Sequence, residues 1–130
     1  MGNRRVIGLR ENTDSNTLYV YIHWAHPDDV MIITRNVIQH AEKRWGENDY
    51  ANRMAIGYII KDDVEGELGF GISINEYSAP DNDLVPIIVW NEFKVIVTKS
   101  SMHESYNPEM QGDDQVVSEM TFDEVLALQD

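Results

Sequence analysis

The sequence predicts an α+β fold: an antiparallel sheet with two helices packed on one face and a short C-terminal helix. Three observations carry this. Residues 17–24, TLYVYIHW, alternate strictly, with Leu18, Val20, Ile22 and Trp24 on one side and Tyr19, Tyr21 and His23 on the other. Residues 28–45 repeat apolar side chains at three- and four-residue spacing, through Ile33, Val37, Ile38, Ala41 and Trp45. Residues 84–90 and 93–98 are two short runs that are apolar on both faces, as strands at the centre of a sheet or at a subunit interface are.

The elements follow in order. Residues 4–10 read as a strand in which Arg5, Ile7 and Leu9 alternate with Val6, Gly8 and Arg10. Residues 11–16, ENTDSN, are turn formers that close a hairpin onto residues 17–24. Pro27 fixes φ for a first helical turn, and Asp28 and Asp29 stand where the helix dipole favours anions. Residues 46–49 break that helix, and residues 50–61 form a second one around Ala51, Met54, Ala55, Tyr58 and Ile59. Gly57 weakens it by about 1 kcal/mol relative to Ala. Residues 68–75 form a strand with Leu68, Phe70, Ile72 and Ile74 on one face and Gly69, Gly71, Ser73 and Asn75 on the other. SAPDND at 78–83 is a loop, and the 84–90 and 93–98 strands make a hairpin around Asn91 and Glu92. Residues 100–119 have the composition of an irregular arm. Thr121 and Glu124 have capping-box spacing for a final helix through Leu128. One domain is expected, with a core at 1–99 and an acidic C-terminal arm at 100–130. The helices should cover Ile7, Leu9, Leu18, Val20, Ile22, Phe70, Ile72 and Ile74.

Composition narrows the function. The chain of 130 residues has no cysteine, which excludes disulfides and thiolate metal sites and fits a reducing compartment. No stretch approaches the length of a membrane span or a signal peptide, so a cytoplasmic protein with no membrane partner is expected. The net charge is −13, and residues 100–130 carry eight acids and no Lys or Arg. Such a balance argues against general nucleic-acid binding, which needs clustered cations. It leaves a basic partner, or a local group of arginines enclosing a small anion. A solvated surface that keeps the chain in solution is the simplest reading.

The best candidate site is the Tyr19, Tyr21 and His23 face beside Gly69, Gly71, Ser73 and Asn75. Strand glycines permit close approach of a ligand, and Tyr and His stack on bases while donating hydrogen bonds. The competing reading is a hydrated sheet surface or a homodimer contact, and the two are compatible if a ligand binds at the seam. Arg44 and Arg53 flank the interhelical turn and are candidates for phosphate. Taken singly, each is explained by stem packing and a salt bridge. His23 and His26 with Asp28 and Asp29 lack the spacing of a metal site, and packing at the end of the strand explains them better. There is no nucleophile elbow and no glycine-rich loop opening onto a helix; nothing selects a catalytic group, and no cofactor is implied.

MGNRRVI, followed by a strand ending in YVYIHW, a helix rich in Ile and Val, and a GF-containing strand further on, resembles small phage-encoded proteins over residues 1–99. Ala25 and His26 stand where glycines often follow HW in those proteins, so the loop differs. With this length and element order, the chain is similar to the Thoeris anti-defence 1 family. That resemblance implies a sponge that sequesters cyclic ADP-ribose signals, made by bacterial TIR-domain proteins, without cleaving them. The expected protein is therefore a non-enzymatic binder of a nucleotide-derived ligand in the cytoplasm of an infected bacterium. Phosphates would meet Arg10, Arg44 or Arg53. The base would stack on Tyr19, Tyr21, His23 or Phe70, and Asn75 would read polar edges. The alternatives are an acidic inhibitor that binds a host protein through the 100–130 arm and a small nucleotide-signal hydrolase. A homo-oligomer, dimer or higher, is expected because two helices cover only one sheet face.

Overall fold

The computed structural model describes residues 5–22, 30–61, 70–74, 84–99 and 116–128. Within them the elements are β1 (Arg5–Arg10), β2 (Leu18–Ile22), α1 (Val30–His40), a 3₁₀ turn (Glu42–Arg44), α2 (Asn48–Ile60), β3 (Phe70–Ser73), β4 (Leu84–Val89), a second 3₁₀ turn (Trp90–Glu92), β5 (Lys94–Lys99), β6 (Val116–Thr121) and α3 (Phe122–Leu126). The fold is α+β, as the alternation and helical periodicity predict.

The six strands form one sheet in the order β3-β2-β1-β4-β5-β6. It consists of two antiparallel meanders, β1-β2-β3 and β4-β5-β6, whose first strands lie side by side. That central pair, β1 with β4, is parallel, with Gly8 opposite Ile87 and Leu9 opposite Ile88. The expected sheet was antiparallel throughout. Side-chain alternation fixes which face a residue takes but not the direction of its neighbour, so this junction is invisible in the pattern.

The core on the helix side joins Ile7, Leu9, Val20, Ile22, Ile88, Val95 and Val97 from the sheet to Val30, Ile33, Val37 and Ile38 of α1, Ala51 and Ala55 of α2, and Phe122 and Val125 of α3. Trp90 lies at its end, fully buried, and its indole N–H donates to Asn52 Oδ1 at 2.6 Å. That partner removes the cost of burying the donor. Around Phe122 stand Trp45, Trp90 and Phe93 at centroid distances of 4.8, 5.8 and 6.0 Å. Phe93 sits at φ 51°, the left-handed region, at the end of the β4–β5 turn. Its carbonyl accepts from the Phe122 amide at 2.9 Å, so the strained turn is tied to the start of α3.

Three expectations need correction. First, Ile72 and Ile74 are not under the helices; they are 53% and 73% exposed. β3 is an edge strand, and α1 packs over β1 and β4 instead. Second, the arm is not irregular throughout. Residues 116–121 pair with β5, and Phe122 and Val125 enter the core, so this end of the chain is structural. The capping box at Thr121 and Glu124 forms with both of its bonds. Third, the second apolar face does not require another copy. Val6, Val85, Ile87, Val89 and Ile96 form a separate cluster, each at most 2% exposed within one chain, with Tyr19, Tyr21 and Val116 packed against it.

Candidate functional site

The proposed site residues fall on two sides of the sheet. Tyr19, Tyr21 and Arg10 share the face opposite the helices, since Gly8 pairs with Tyr19 and Arg10 with Val89. Both tyrosines are half-buried against the second cluster. Gly71 lies opposite Tyr21 and Ser73 opposite Tyr19. Phe70 packs on the other side, against the main core. Arg44 and Arg53 belong to the helix layer. His23 and Asn75 lie outside the described residues, as do His26, Asp28, Asp29 and Gly69. The structure therefore does not assemble Tyr19, Tyr21 and Arg10 with Phe70, Arg44 and Arg53 into one pocket.

The glycines of the tyrosine face behave differently from one another. A Cβ on Gly8 would stand 2.8 Å from Thr17 Cγ2 and 2.9 Å from Ile87 Cγ1. The space at Gly8 is thus filled by the protein itself, and this glycine serves packing. A Cβ on Gly71 would meet Tyr21 at an ordinary 3.8 Å.

Arg10 is likewise committed internally. Its Nε donates to Thr17 Oγ1 at 2.7 Å and its Nη1 to the Thr13 carbonyl at 2.8 Å, which fastens the β1–β2 turn. The same turn is tied to the β4–β5 turn. Glu92 Oε2 accepts from the Thr13 amide at 2.6 Å and the Thr13 hydroxyl at 2.5 Å, and Asn91 N–H donates to the Glu11 carbonyl. The Thr13 hydrogen bonds hold the Glu92 carboxyl below the usual carboxylate range. Lys94 donates to Glu119 at 3.1 Å, and that bond raises its pKa above the ordinary lysine value despite some desolvation. These groups make a structural clamp.

The segment that holds α1 and α2 is net cationic in an acidic chain. Residues 30–61 carry Arg35, Lys43, Arg44, Arg53 and Lys61 against Glu42, Glu47 and Asp49. Five bases against three acids give this segment a formal +2, which leaves −15 for the rest of the chain. Arg35 is used structurally: its Nη1 donates to the Leu128 carbonyl at 2.9 Å, joining α1 to the end of the described chain. Lys61 lies over the Tyr58 ring at 4.2 Å, and His40 stacks on the same ring at 5.1 Å.

Arg44 and Arg53 face outward around an exposed aromatic. The Arg44 guanidinium stands 5.1 Å over the ring of Tyr50, which is 59% exposed. Arg44 also pairs with Glu47 at 3.2 Å, both half-exposed, an interaction that contributes little. Arg53 is exposed on α2, three residues after Tyr50 and hence its neighbour on the helix surface. This cation–aromatic–cation row can stack a planar ring and pair with phosphate oxygens. Sequence reasoning named both arginines and missed Tyr50. The signal was present, since Tyr50 opens the helix off the apolar stripe that buries Ala51 and Ala55.

Among the described residues, no three His, Asp or Glu side chains come together to hold a metal ion, and no helix is long and apolar enough to cross a membrane. Comparison with known protein families, characterised proteins and solved structures finds no match for this chain.

Proposed function

We propose that this protein binds a nucleotide-derived anionic signal, of the cyclic ADP-ribose class, and sequesters it without cleavage, as a phage protein countering a bacterial host's defence would. One observation carries the reading: the Arg44 guanidinium over the exposed Tyr50 ring, with Arg53 one helical turn further along α2, on a net-cationic stretch of a strongly acidic chain. The resemblance of the MGNRRVI and YVYIHW motifs to small phage proteins supplies the ligand class. Tyr50 would stack on the base, and the two guanidiniums would meet the phosphates. Both arginines and the ring come from one chain, so the reading needs no second copy.

The proposal moves the site from the tyrosine face to the helix layer. Tyr19 and Tyr21 pack on the second cluster, and Arg10 is occupied by Thr17 and the Thr13 carbonyl. A ligand phosphate at Arg10 would compete with two existing hydrogen bonds, whereas at Arg44 it competes with one solvent-exposed ion pair.

The test uses the full chain and a panel of cyclic ADP-ribose isomers. The protein is saturated and freed of excess ligand, then heat-denatured, and the released material is chromatographed. Recovery of intact ligand supports sequestration. Conversion points to the hydrolase reading, and an empty eluate from every isomer removes the ligand class. Tyr50→Ala and Arg53→Ala should each weaken binding about tenfold, the equivalent of losing about 1.4 kcal/mol. Wild-type affinity in both variants would remove this row from the site.

A further inference from the structure

α2 carries a glycine that neither its backbone nor its packing requires. Gly57 stands inside the Asn48–Ile60 helix, where glycine is a poor helix former. It lacks the positive φ that selects glycine; among the described glycines that belongs to Gly46, at 82°. A Cβ built on Gly57 would meet no atom of the described residues within 4 Å, and the position is exposed. Gly8 is the contrast, since its missing Cβ makes room for Thr17 and Ile87. The open space at Gly57 faces outward, so what fits it comes from outside the chain.

The neighbours of Gly57 along the helix surface are cations. Arg53 precedes it by four residues and Lys61 follows it by four, so the three share one ridge. At about 1.5 Å of rise per residue, each cation starts about 6 Å along the axis from Gly57, within reach of its own long side chain. Tyr50 begins the same face, three residues before Arg53 and seven before Gly57. Residues 50–61 contain no acid, and Asp49, the acid of α2, lies in its first turn. The Lys61 ammonium stands 4.2 Å over Tyr58, a half-buried ring on which His40 also stacks. Lys61 also offsets the negative end of the α2 dipole, which would otherwise oppose an anion there.

We propose that Gly57 is the floor of a diphosphate subsite with Arg53 and Lys61 as its two walls. This rests on the reading of Tyr50 as the ring that stacks on the base, and extends it along α2. The base would lie on Tyr50. The two phosphates would pass Arg53 and settle over the bare backbone at Gly57, between the guanidinium and the ammonium. A side chain larger than a methyl at position 57 would take the place of the second phosphate. The subsite also sets the ligand class. A base joined to a diphosphate spans Tyr50 to Gly57, about 10 Å along the helix, whereas a nucleoside monophosphate stops at Arg53.

The test is calorimetry on the full chain, with cyclic ADP-ribose and inorganic pyrophosphate as the probes. Gly57→Leu and Lys61→Gln should each weaken both probes about tenfold, through loss of charge-assisted contacts to phosphate. Gly57→Ala should keep binding close to wild type and raise the melting temperature by about 2–4 °C, because the helix gains and nothing is displaced. Gly57→Leu should not lower the melting temperature. A fall in either Gly57 variant would show that the chain itself needs the space, and would overturn the proposal. Wild-type affinity for cyclic ADP-ribose in Gly57→Leu, with binding lost in Tyr50→Ala, would overturn it too and leave the Tyr50 reading standing. Pyrophosphate binding that depends on Gly57 and Lys61, without binding of cyclic ADP-ribose, would keep the subsite and remove that ligand. Binding of neither probe would remove both.

Discussion

Phe122→Ala tests whether the C-terminal residues are part of the core or an attached arm. Phe122 is 2% exposed and touches three other rings, the nearest being Trp45 at 4.8 Å. Removing a buried phenyl ring costs about 3–5 kcal/mol, the sum of the lost transfer free energy and the cavity left behind. Collapse of the cavity is restricted here. Trp90 is held by Asn52, Trp45 by the Ile38 carbonyl, and Phe93 by its place in the β4–β5 turn. The cost should therefore lie toward the upper end. At roughly 2.1 cal/mol/K of unfolding entropy per residue, a chain of this length loses about 1 °C of Tm for each 0.27 kcal/mol. The expected fall is then about 11–18 °C, against a total stability on the order of 5–15 kcal/mol. Urea unfolding followed by tryptophan fluorescence and by circular dichroism gives the value directly. A loss below about 1 kcal/mol with an unchanged m-value would refute the reasoning, because residues 116–128 would then be an appendage.

Gly8→Ala should cost about 1–3 kcal/mol, since its methyl would overlap Thr17 and Ile87 inside the sheet; an unchanged midpoint in urea would show that those side chains yield freely. Glu92 has a folded-state pKa below its unfolded value, so its contribution is present above the unfolded carboxylate pKa and is lost as pH falls through the folded one. Lys94 is shifted the other way; its contribution is full below the unfolded lysine pKa and is lost as pH rises through the folded one. Glu92→Gln should accordingly flatten the acid side of a stability–pH curve, and an acid limb identical to wild type would remove the Thr13–Glu92 clamp from the explanation.

Much of the fold could be read from the sequence because it is written in short periods. The alternation of residues 5–10 and 18–22 and the stripe of Ile33, Val37 and Ile38 each place a buried face correctly. Thr121 and Glu124 mark the helix that follows them, since a capping box is a local bond pattern. β6 was missed for a complementary reason. An edge strand such as VVSEMT needs no fully apolar face, and its pairing with β5 depends on contacts far away in sequence. The exposure of Ile72 and Ile74 was misjudged because alternation gives the side of the sheet and not how far the helices extend across it. The site was read in parts. Arg44 and Arg53 were named singly, but whole-chain charge hid the +2 of residues 30–61, and period arguments that sort residues into stripes gave Tyr50 no role.

The distribution of cations explains why anion binding is assigned to the α1–α2 turn. Arg10 bonds Thr17 and the Thr13 carbonyl, Arg35 bonds the Leu128 carbonyl, and Lys94 bonds Glu119; each joins two parts of the fold. Recruiting any of them to a ligand would loosen the connection it makes. Arg44 and Arg53 lie on the exposed side of the helix layer, where Arg44 makes a surface pair with Glu47. A ligand there would replace a solvent-screened contact rather than a structural one, so the proposed binding and the folding would draw on different residues.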